Sequence, residues 1–67
     1  MSDVGEVAKL LIELIKIGKE LFPTEIEKIQ KEWKNDQQEF QAAYRDKDIG
    51  TLNMLLDKYH NLLFSLI

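Results

Sequence analysis

Apolar residues recur along this chain at three- and four-residue spacing in three segments, and the strict alternation of a half-buried strand is sustained nowhere. Such spacing is typical of amphipathic α-helices, so the sequence predicts an all-α fold, a small three-helix bundle forming a single helical domain. Pro23 ends the first segment, because a proline disfavours helical backbone at the residue before it. The predicted helices span about residues 3–22, 25–45 and 49–66.

Short polar residues at the start of each segment can accept hydrogen bonds from the free backbone N–H groups of a helix. Thr24 and Glu27 have the spacing of a capping box. Only Pro23 and Thr24 separate the first two segments, so we expect helix two to fold back on helix one. The candidate caps are Ser2 or Asp3, Thr24, and Asp46 or Asp48.

The second segment contains one candidate break. Asn35 and Asp36 interrupt its pattern, and Asp36 followed by Glu39 also has the spacing of a cap, so a break near Asn35 would give four short helices. We expect a continuous helix, because one apolar stripe crosses the junction. We also expect its aromatic rings to pack in the core. A platform on which nucleic-acid bases stack would lie in a basic groove, and this segment does not have one. The stripe consists of Ile26, Ile29, Trp33, Phe40 and Tyr44.

Helix one is apolar over roughly 220° of its circumference, which is wider than the stripe usual for a surface helix. Two neighbouring helices of the same chain would leave part of that arc in water. Gly18 lies near the middle of the arc, where a glycine costs about 1 kcal/mol relative to alanine. Two explanations stay open: another helix backbone approaches Gly18 closely, or Gly18 helps to end the helix before Pro23.

Self-association is the simplest way to cover the remaining apolar surface. Met54 and Phe64 lie off the main apolar face of helix three, and the run from Phe64 to Ile67 favours a covered C-terminus. A core of this size supplies only about 3–5 kcal/mol, and oligomerisation is one usual supplement. We therefore expect a homodimer centred on helix one. The predicted interface consists of Val7, Leu10, Leu11, Leu14, Ile17, Gly18, Leu21, Phe64 and Ile67.

Composition narrows the choice of partners and of compartment. The net charge of −3 and the isoelectric point near 5.0 give a field that repels polyphosphates, so no nucleic-acid partner is expected. The chain has no cysteine, which excludes disulfides and thiolate metal sites and fits a reducing compartment. The first residues lack the basic leader of a secretory signal, and no apolar run is long enough to span a bilayer. We expect a cytoplasmic protein.

Residues capable of catalysis are few. His60, the one imidazole, lies three residues after Asp57, but a helical di-metal site needs that motif from two helices with further carboxylates. Only Ser65 lies at a helical spacing from His60 as a candidate nucleophile. The paired carboxylates lie among lysines on polar faces, whereas acid–base catalysis by two carboxylates needs burial. We therefore expect no enzyme activity, no metal and no cofactor.

The function predicted is a non-enzymatic protein–protein interaction module, a small homodimeric adaptor, regulator or inhibitor of a larger protein. Met54 and Phe64 are its candidate anchors for a partner that the sequence does not identify, because methionine and aromatic side chains are enriched at interfaces.

Two alternatives remain. The apolar first helix could lie on a membrane surface, although its polar strip lacks the lysine excess usual for such helices. Alternatively, the acidic side of helix two could mimic a nucleic acid and occupy a basic groove, although lysines lie among its carboxylates. The candidate acidic surface consists of Glu25, Glu27, Glu32, Asp36 and Glu39.

Overall fold

The structure, a computed structural model, describes residues 3–66 and contains three α-helices. They are α1 (Val4–Leu21), α2 (Ile26–Arg45) and α3 (Ile49–Phe64). The predicted all-α, three-helix fold is confirmed, and α2 passes through Asn35 without a break. The predicted third helix extended to residue 66, whereas α3 ends at Phe64 and a turn follows.

Asp3 begins α1 by accepting a hydrogen bond from the backbone N–H of Glu6 at 2.7 Å. At the other end of α1, the N–H of Phe22 donates to the carbonyl of Gly18 at 2.8 Å, and Pro23 follows. The predicted first helix therefore has the cap and the stop that its sequence indicates. The alternative cap, Ser2, lies outside the described residues.

The predicted capping box of α2 is wrong. Glu25, rather than Thr24, occupies the cap position, and no side chain hydrogen-bonds there. The backbone of Glu25 is already helical, and the N–H of Ile26 donates to the carbonyl of Phe22 at 2.9 Å. Because the turn after α1 supplies this acceptor from the backbone, α2 begins without the hydroxyl of Thr24.

A left-handed residue ends α2. Lys47 has a φ of 56°, and the N–H of Asp48 then donates to the carbonyl of Ala43 at 2.8 Å. Asp48 begins α3, accepting hydrogen bonds from the N–H of Thr51 at 3.1 Å and from its hydroxyl at 2.7 Å. Asp48 is thus the cap of α3, and Asp46 is not.

The three helices run up, down and up, so that α1 and α3 are parallel and α2 is antiparallel to both. Val7 packs with Ala43 and Leu52 at one end of the bundle, and Gly18 lies against Ile26 and Leu63 at the other. Between these ends the core contains further buried side chains, among them Leu11, Ile15, Ile29, Leu55 and Tyr59.

Gly18 leaves the space that two core side chains fill. A Cβ atom placed at Gly18 would overlap the side chain of Leu63 and would lie 2.8 Å from Cδ1 of Ile26. The prediction that another helix backbone approaches Gly18 closely is therefore wrong, since the nearest atoms belong to the side chains of Leu63 and Ile26. Because glycine has no side chain, Ile26 of α2 and Leu63 of α3 can both pack against α1 at this position.

Candidate interaction surface

A row of exposed apolar side chains follows α1 along its border with α3. Leu10, Leu14, Ile17 and Leu21 are spaced by four, three and four residues, which places them on one stripe of the helix. Leu10 is 47 % exposed, Ile17 is 50 % exposed and Leu21 is 67 % exposed, while Leu14 is half-buried. The stripe lies beside the core rather than in it.

The neighbouring surface of α3 extends this stripe into a shallow apolar groove. Phe64, which is 59 % exposed, lines the same depression as Ile17 and Leu21, at the C-terminal end of the stripe. Leu14 lines both depressions along this border, so the two depressions adjoin at this residue. The residues lining the depression near the start of α1 are Leu10, Leu14, Asn53, Leu56, Asp57 and His60. Leu10, Leu14, Ile17, Leu21 and Phe64 are called the α1–α3 face below.

Charge on the border of the α1–α3 face is of one sign. Glu6, Glu13 and Glu20 follow one another at seven-residue intervals on α1, next to Leu10 and Ile17 on the helix surface. Asp57 lies on the opposite border, on α3. The nearest lysines of α1 are Lys9 and Lys16, which line the groove between α1 and α2, and Glu13 lies between the two borders because it lines that groove as well.

His60 lies in the groove but has no catalytic arrangement around it. Its ring packs on the ring of Phe64 with a centroid distance of 4.4 Å, and Asp57 and Asn53 are its polar neighbours in the lining. Among residues 3–66, no three acidic or imidazole side chains are grouped as a metal site requires.

The predicted dimer interface divides into two sets. Leu10, Leu14, Ile17, Leu21 and Phe64 lie on the α1–α3 face, whereas Ile67 lies outside the described residues. Three of the predicted residues face inward: Val7, Leu11 and Gly18 are buried within one chain.

The inward set is a correction to the predicted interface. The apolar arc of α1 is wide because it contains both a core stripe and a surface stripe, and periodicity alone does not separate the two. Val7 packs with Ala43 and Leu52, and Leu11 is part of the central core. These side chains stabilise the bundle of a single chain and are not accessible to a second molecule.

Of the two candidate anchors, both are exposed, but only Phe64 belongs to the α1–α3 face. Met54 is 58 % exposed and lines none of the grooves described here. A second groove, between α1 and α2, was not predicted from the sequence, and Lys9, Glu13 and Lys16 line it beside its apolar residues. It contains Ile12 and Tyr44, and the only signal in the sequence was the position of Ile12 off both stripes of α1.

The predicted acidic surface of α2 is partly neutralised by α3. The ammonium group of Lys58 donates to Asp36 at 2.7 Å and to Glu32 at 3.2 Å. The hydroxyl of Tyr59 donates to Asp36 at 2.7 Å. Glu25, Glu27 and Glu39, the other members, are exposed. The five carboxylates therefore do not form one uniform acidic surface.

The protonation of this α2–α3 cluster follows from its contacts. Partial burial acts to raise the pKa of Asp36, but hydrogen bonds from Lys58 and Tyr59 and the charge of Lys58 outweigh it, and the pKa is lowered. The bond to Asp36 is the main cause of a raised pKa of Lys58. Burial, then the bond to Asp36, raises the pKa of Tyr59. Asp36 is an anion and Tyr59 is neutral at physiological pH.

Trp33 and Phe40 pack against the core, as the sequence predicts, whereas Tyr44 of the same predicted stripe is 51 % exposed and is a correction to it. Trp33 lies 5.1 Å from Phe40 and 5.5 Å from Tyr59 between ring centroids, the latter pair edge to face. Because these rings contact the core and one another, their faces are not arranged as an open platform for bases.

No family model matches the chain, and no significant match was found among curated proteins or solved structures. Within residues 3–66, no helix has the combination of length and hydropathy that a membrane span needs.

Proposed function

We propose that this protein is a non-enzymatic protein–protein interaction module, a small adaptor, regulator or inhibitor that binds its partner through the α1–α3 face. The observation that carries the proposal is the unbroken apolar row along one border of the bundle. Contiguous exposed apolar surface of this kind, bordered by polar side chains, is typical of interaction sites. Scattered exposed apolar residues would not support the same proposal.

The size and shape of the row suit another helix. Leu21 lies eleven positions after Leu10, so the row extends over about 16 Å at the rise of an α-helix. Its spacing of four, three and four residues is that of a coiled-coil seam, which accepts the side chains of a second helix. A rod-like partner would cover the row without any change in the backbone of the bundle.

A second copy of the chain is a second candidate partner. The exposed fractions of Leu10, Ile17 and Leu21 leave apolar area in water that a homodimer would bury. Oligomerisation also supplements the stability of a small core. In this version of the proposal, the dimer forms through the accessible part of the predicted interface and not through Val7, Leu11 or Gly18.

Neither alternative function is favoured by a comparable observation. For membrane-surface binding, the acidic border of the α1–α3 face is unfavourable, because cytoplasmic leaflets are negatively charged. For nucleic-acid mimicry, the pairing of Glu32 and Asp36 with Lys58 removes charge that the mimic would need. The proposed location is the cytoplasm, because a chain without cysteine fits a reducing compartment.

A matched pair of isoleucines on α1 allows a direct test. Ile17, on the α1–α3 face, is 50 % exposed, and Ile12, on the α1–α2 border, is 51 % exposed. The tagged protein and its Ile17→Gln and Ile12→Gln variants are used to capture proteins from the cells of origin, with mass spectrometry as the readout. We expect partners, or untagged copies of the chain, that the Ile17 variant loses and the Ile12 variant retains.

Identical captures from the wild type and both variants would contradict the proposal. Loss of the same partners from the Ile12 variant alone would move the interaction to the α1–α2 border.

A further inference from the structure

The acidic border of the α1–α3 face restricts what can bind there. The charged residues three or four positions from the apolar row on α1, and the charged residue that lines the groove from α3, are carboxylates: Glu6, Glu13, Glu20 and Asp57. A ligand seated on the row brings its own flanking groups close to these carboxylates. Opposite charges there favour binding and like charges oppose it, by amounts that grow as water is displaced.

Seven-residue spacing makes the acidic border a regular feature of α1. In a helix whose seam runs through Leu10, Leu14, Ile17 and Leu21, the residues Glu6, Glu13 and Glu20 occupy the same flanking position in successive heptads. Flanking positions of this kind set the choice and orientation of a partner helix through charge pairs. Lys9 and Lys16 line the α1–α2 groove together with Glu13, but within residues 3–66 neither lysine forms an ion pair with these glutamates.

A second copy of the chain fits this border poorly when its α1 lies antiparallel to the first α1. That arrangement places Glu6, Glu13 and Glu20 of one copy opposite the same carboxylates of the other, at the edge of an apolar contact. Anionic lipid headgroups meet the same carboxylates with the same sign of charge. Both occupants therefore bring like charges together.

We infer that the α1–α3 face binds an amphipathic α-helix of another protein whose apolar stripe is flanked by lysine or arginine. The apolar stripe of that helix contacts Leu10, Leu14, Ile17 and Leu21, and Phe64 closes one end of the contact. Its basic side chains pair with Glu13 and Glu20 on one border and with Asp57 on the other. The inference rests on the proposed function, to which it adds the chemical class of the partner.

Two synthetic peptides test the charge requirement. Both are three-heptad helices with leucine and isoleucine on the apolar stripe, and they differ only in carrying lysine or glutamate at the flanking positions. Each is labelled and titrated with the full chain, and binding is followed by fluorescence anisotropy at low and high salt. We expect the lysine peptide to bind at least about 10-fold more tightly, with an advantage that shrinks as salt screens the charges.

Variants of the protein connect this preference to the border. In a Glu13→Lys, Glu20→Lys variant, we expect the preference to shift toward the glutamate peptide. A Glu27→Lys, Glu39→Lys variant makes the same change in net charge on exposed residues of α2 that line neither depression of the face, and it should keep the preference for lysine. Ile17→Gln should weaken binding of the lysine peptide about 10-fold or more, whereas Ile12→Gln should not.

Each contrary result has a distinct meaning. Equal affinities for the two peptides, with both lost in Ile17→Gln, would overturn the basic partner while supporting the face as a docking site. No binding of either peptide would also overturn it, and the capture experiment would then decide the proposed function separately.

Two further measurements test whether a second copy of the chain or an anionic membrane occupies the α1–α3 face instead. Sedimentation that shows a dimer dissociated by Ile17→Gln but not by Ile12→Gln would assign the face to a second copy. Flotation with anionic phosphatidylserine vesicles that is lost in Ile17→Gln alone would assign it to lipid. Either result would overturn the inference, which expects a monomer that stays with the aqueous fraction.

Discussion

The hydroxyl of Tyr59 donates a 2.7 Å hydrogen bond to the carboxylate of Asp36 and so joins α3 to α2 at the edge of the core. The ring of Tyr59 is fully buried, and the side chain of Asp36 is 16 % exposed. Lys58 binds the same oxygen from the solvent side. A partly buried carboxylate is thereby satisfied by two donors from one helix.

Tyr59→Phe should destabilise the protein. The change removes one donor from a partly buried anion and leaves packing almost unchanged, so we expect a loss of about 1.5–3 kcal/mol in the free energy of unfolding. Urea denaturation at neutral pH measures it. Tyr44→Phe, at a residue that is 51 % exposed, serves as the control and should change the free energy by less than about 0.5 kcal/mol. Equal effects of the two changes would contradict the role assigned to the Tyr59–Asp36 bond.

Acid should weaken the fold partly through Asp36. The pKa of this carboxyl is lower in the folded chain than its ordinary value of 3.8, so the unfolded chain takes up the proton first as the pH falls. The stability that depends on the Asp36 anion is therefore complete above pH 3.8 and is lost as the pH falls through the lower, folded pKa. Between about pH 5 and pH 2, the wild type should lose more stability than Asp36→Asn.

Unfolding by urea at several pH values tests this difference in slope. Glu27→Gln, a matched change on an exposed part of α2, should leave the acid dependence close to that of the wild type. Parallel pH profiles for the wild type and Asp36→Asn would mean that Asp36 does not contribute to acid unfolding.

The sequence predicted the helices well because the signals for helices are local. Pro23 and Asp48 act within a few residues of the helix ends that they fix, and the stripe through Trp33 and Phe40 crosses Asn35 without interruption. The capping box at Thr24 failed because the turn after α1 supplied a backbone acceptor in place of the hydroxyl.

The candidate site was only partly predictable, because it depends on how the helices meet. Periodicity showed that α1 is apolar over too wide an arc, but it assigned Val7 and Leu11 to the surface together with Leu10 and Ile17. Which stripe is buried depends on the angle at which α2 and α3 approach α1. For the same reason, Asp36 was assigned to an open acidic surface, although Lys58 and Tyr59 bind it.

Gly18→Ala should destabilise the protein relative to Gly50→Ala. Both glycines lie in helices, where alanine is favoured by about 1 kcal/mol. A Cβ at Gly18 overlaps the side chains of Leu63 and Ile26, whereas one at Gly50 makes only an ordinary 3.6 Å contact with Asp48. Overpacking costs about 1–3 kcal/mol, so thermal or urea unfolding should place Gly18→Ala below Gly50→Ala by about that amount. The reverse order would show that the core relaxes around Gly18 at little cost.

Lys47→Gly should stabilise the protein. Lys47 has a φ of 56°, a left-handed conformation that costs a residue with a side chain about 1 kcal/mol or more and costs glycine little. We expect a gain of about 0.5–1 kcal/mol in the free energy of unfolding, after the greater flexibility of glycine in the unfolded chain is taken into account. Asp46→Gly provides the control, because φ of Asp46 is −88° and glycine brings no relief there. A loss of stability in Lys47→Gly would contradict the strain assigned to this turn.

Ile17→Gln and Ile12→Gln should fold with nearly the same stability. The two side chains are exposed to almost the same extent on the same helix, so each loses a similar amount of buried apolar area in a monomer. We expect their free energies of unfolding to agree within about 0.5 kcal/mol at low protein concentration. If the α1–α3 face joins two copies, the difference should grow with concentration, since only Ile17→Gln would then weaken the associated state. A difference of 2 kcal/mol or more at every concentration would show that Ile17 contributes to the fold of the single chain. Its effect on binding would then reflect stability and not contact with a partner.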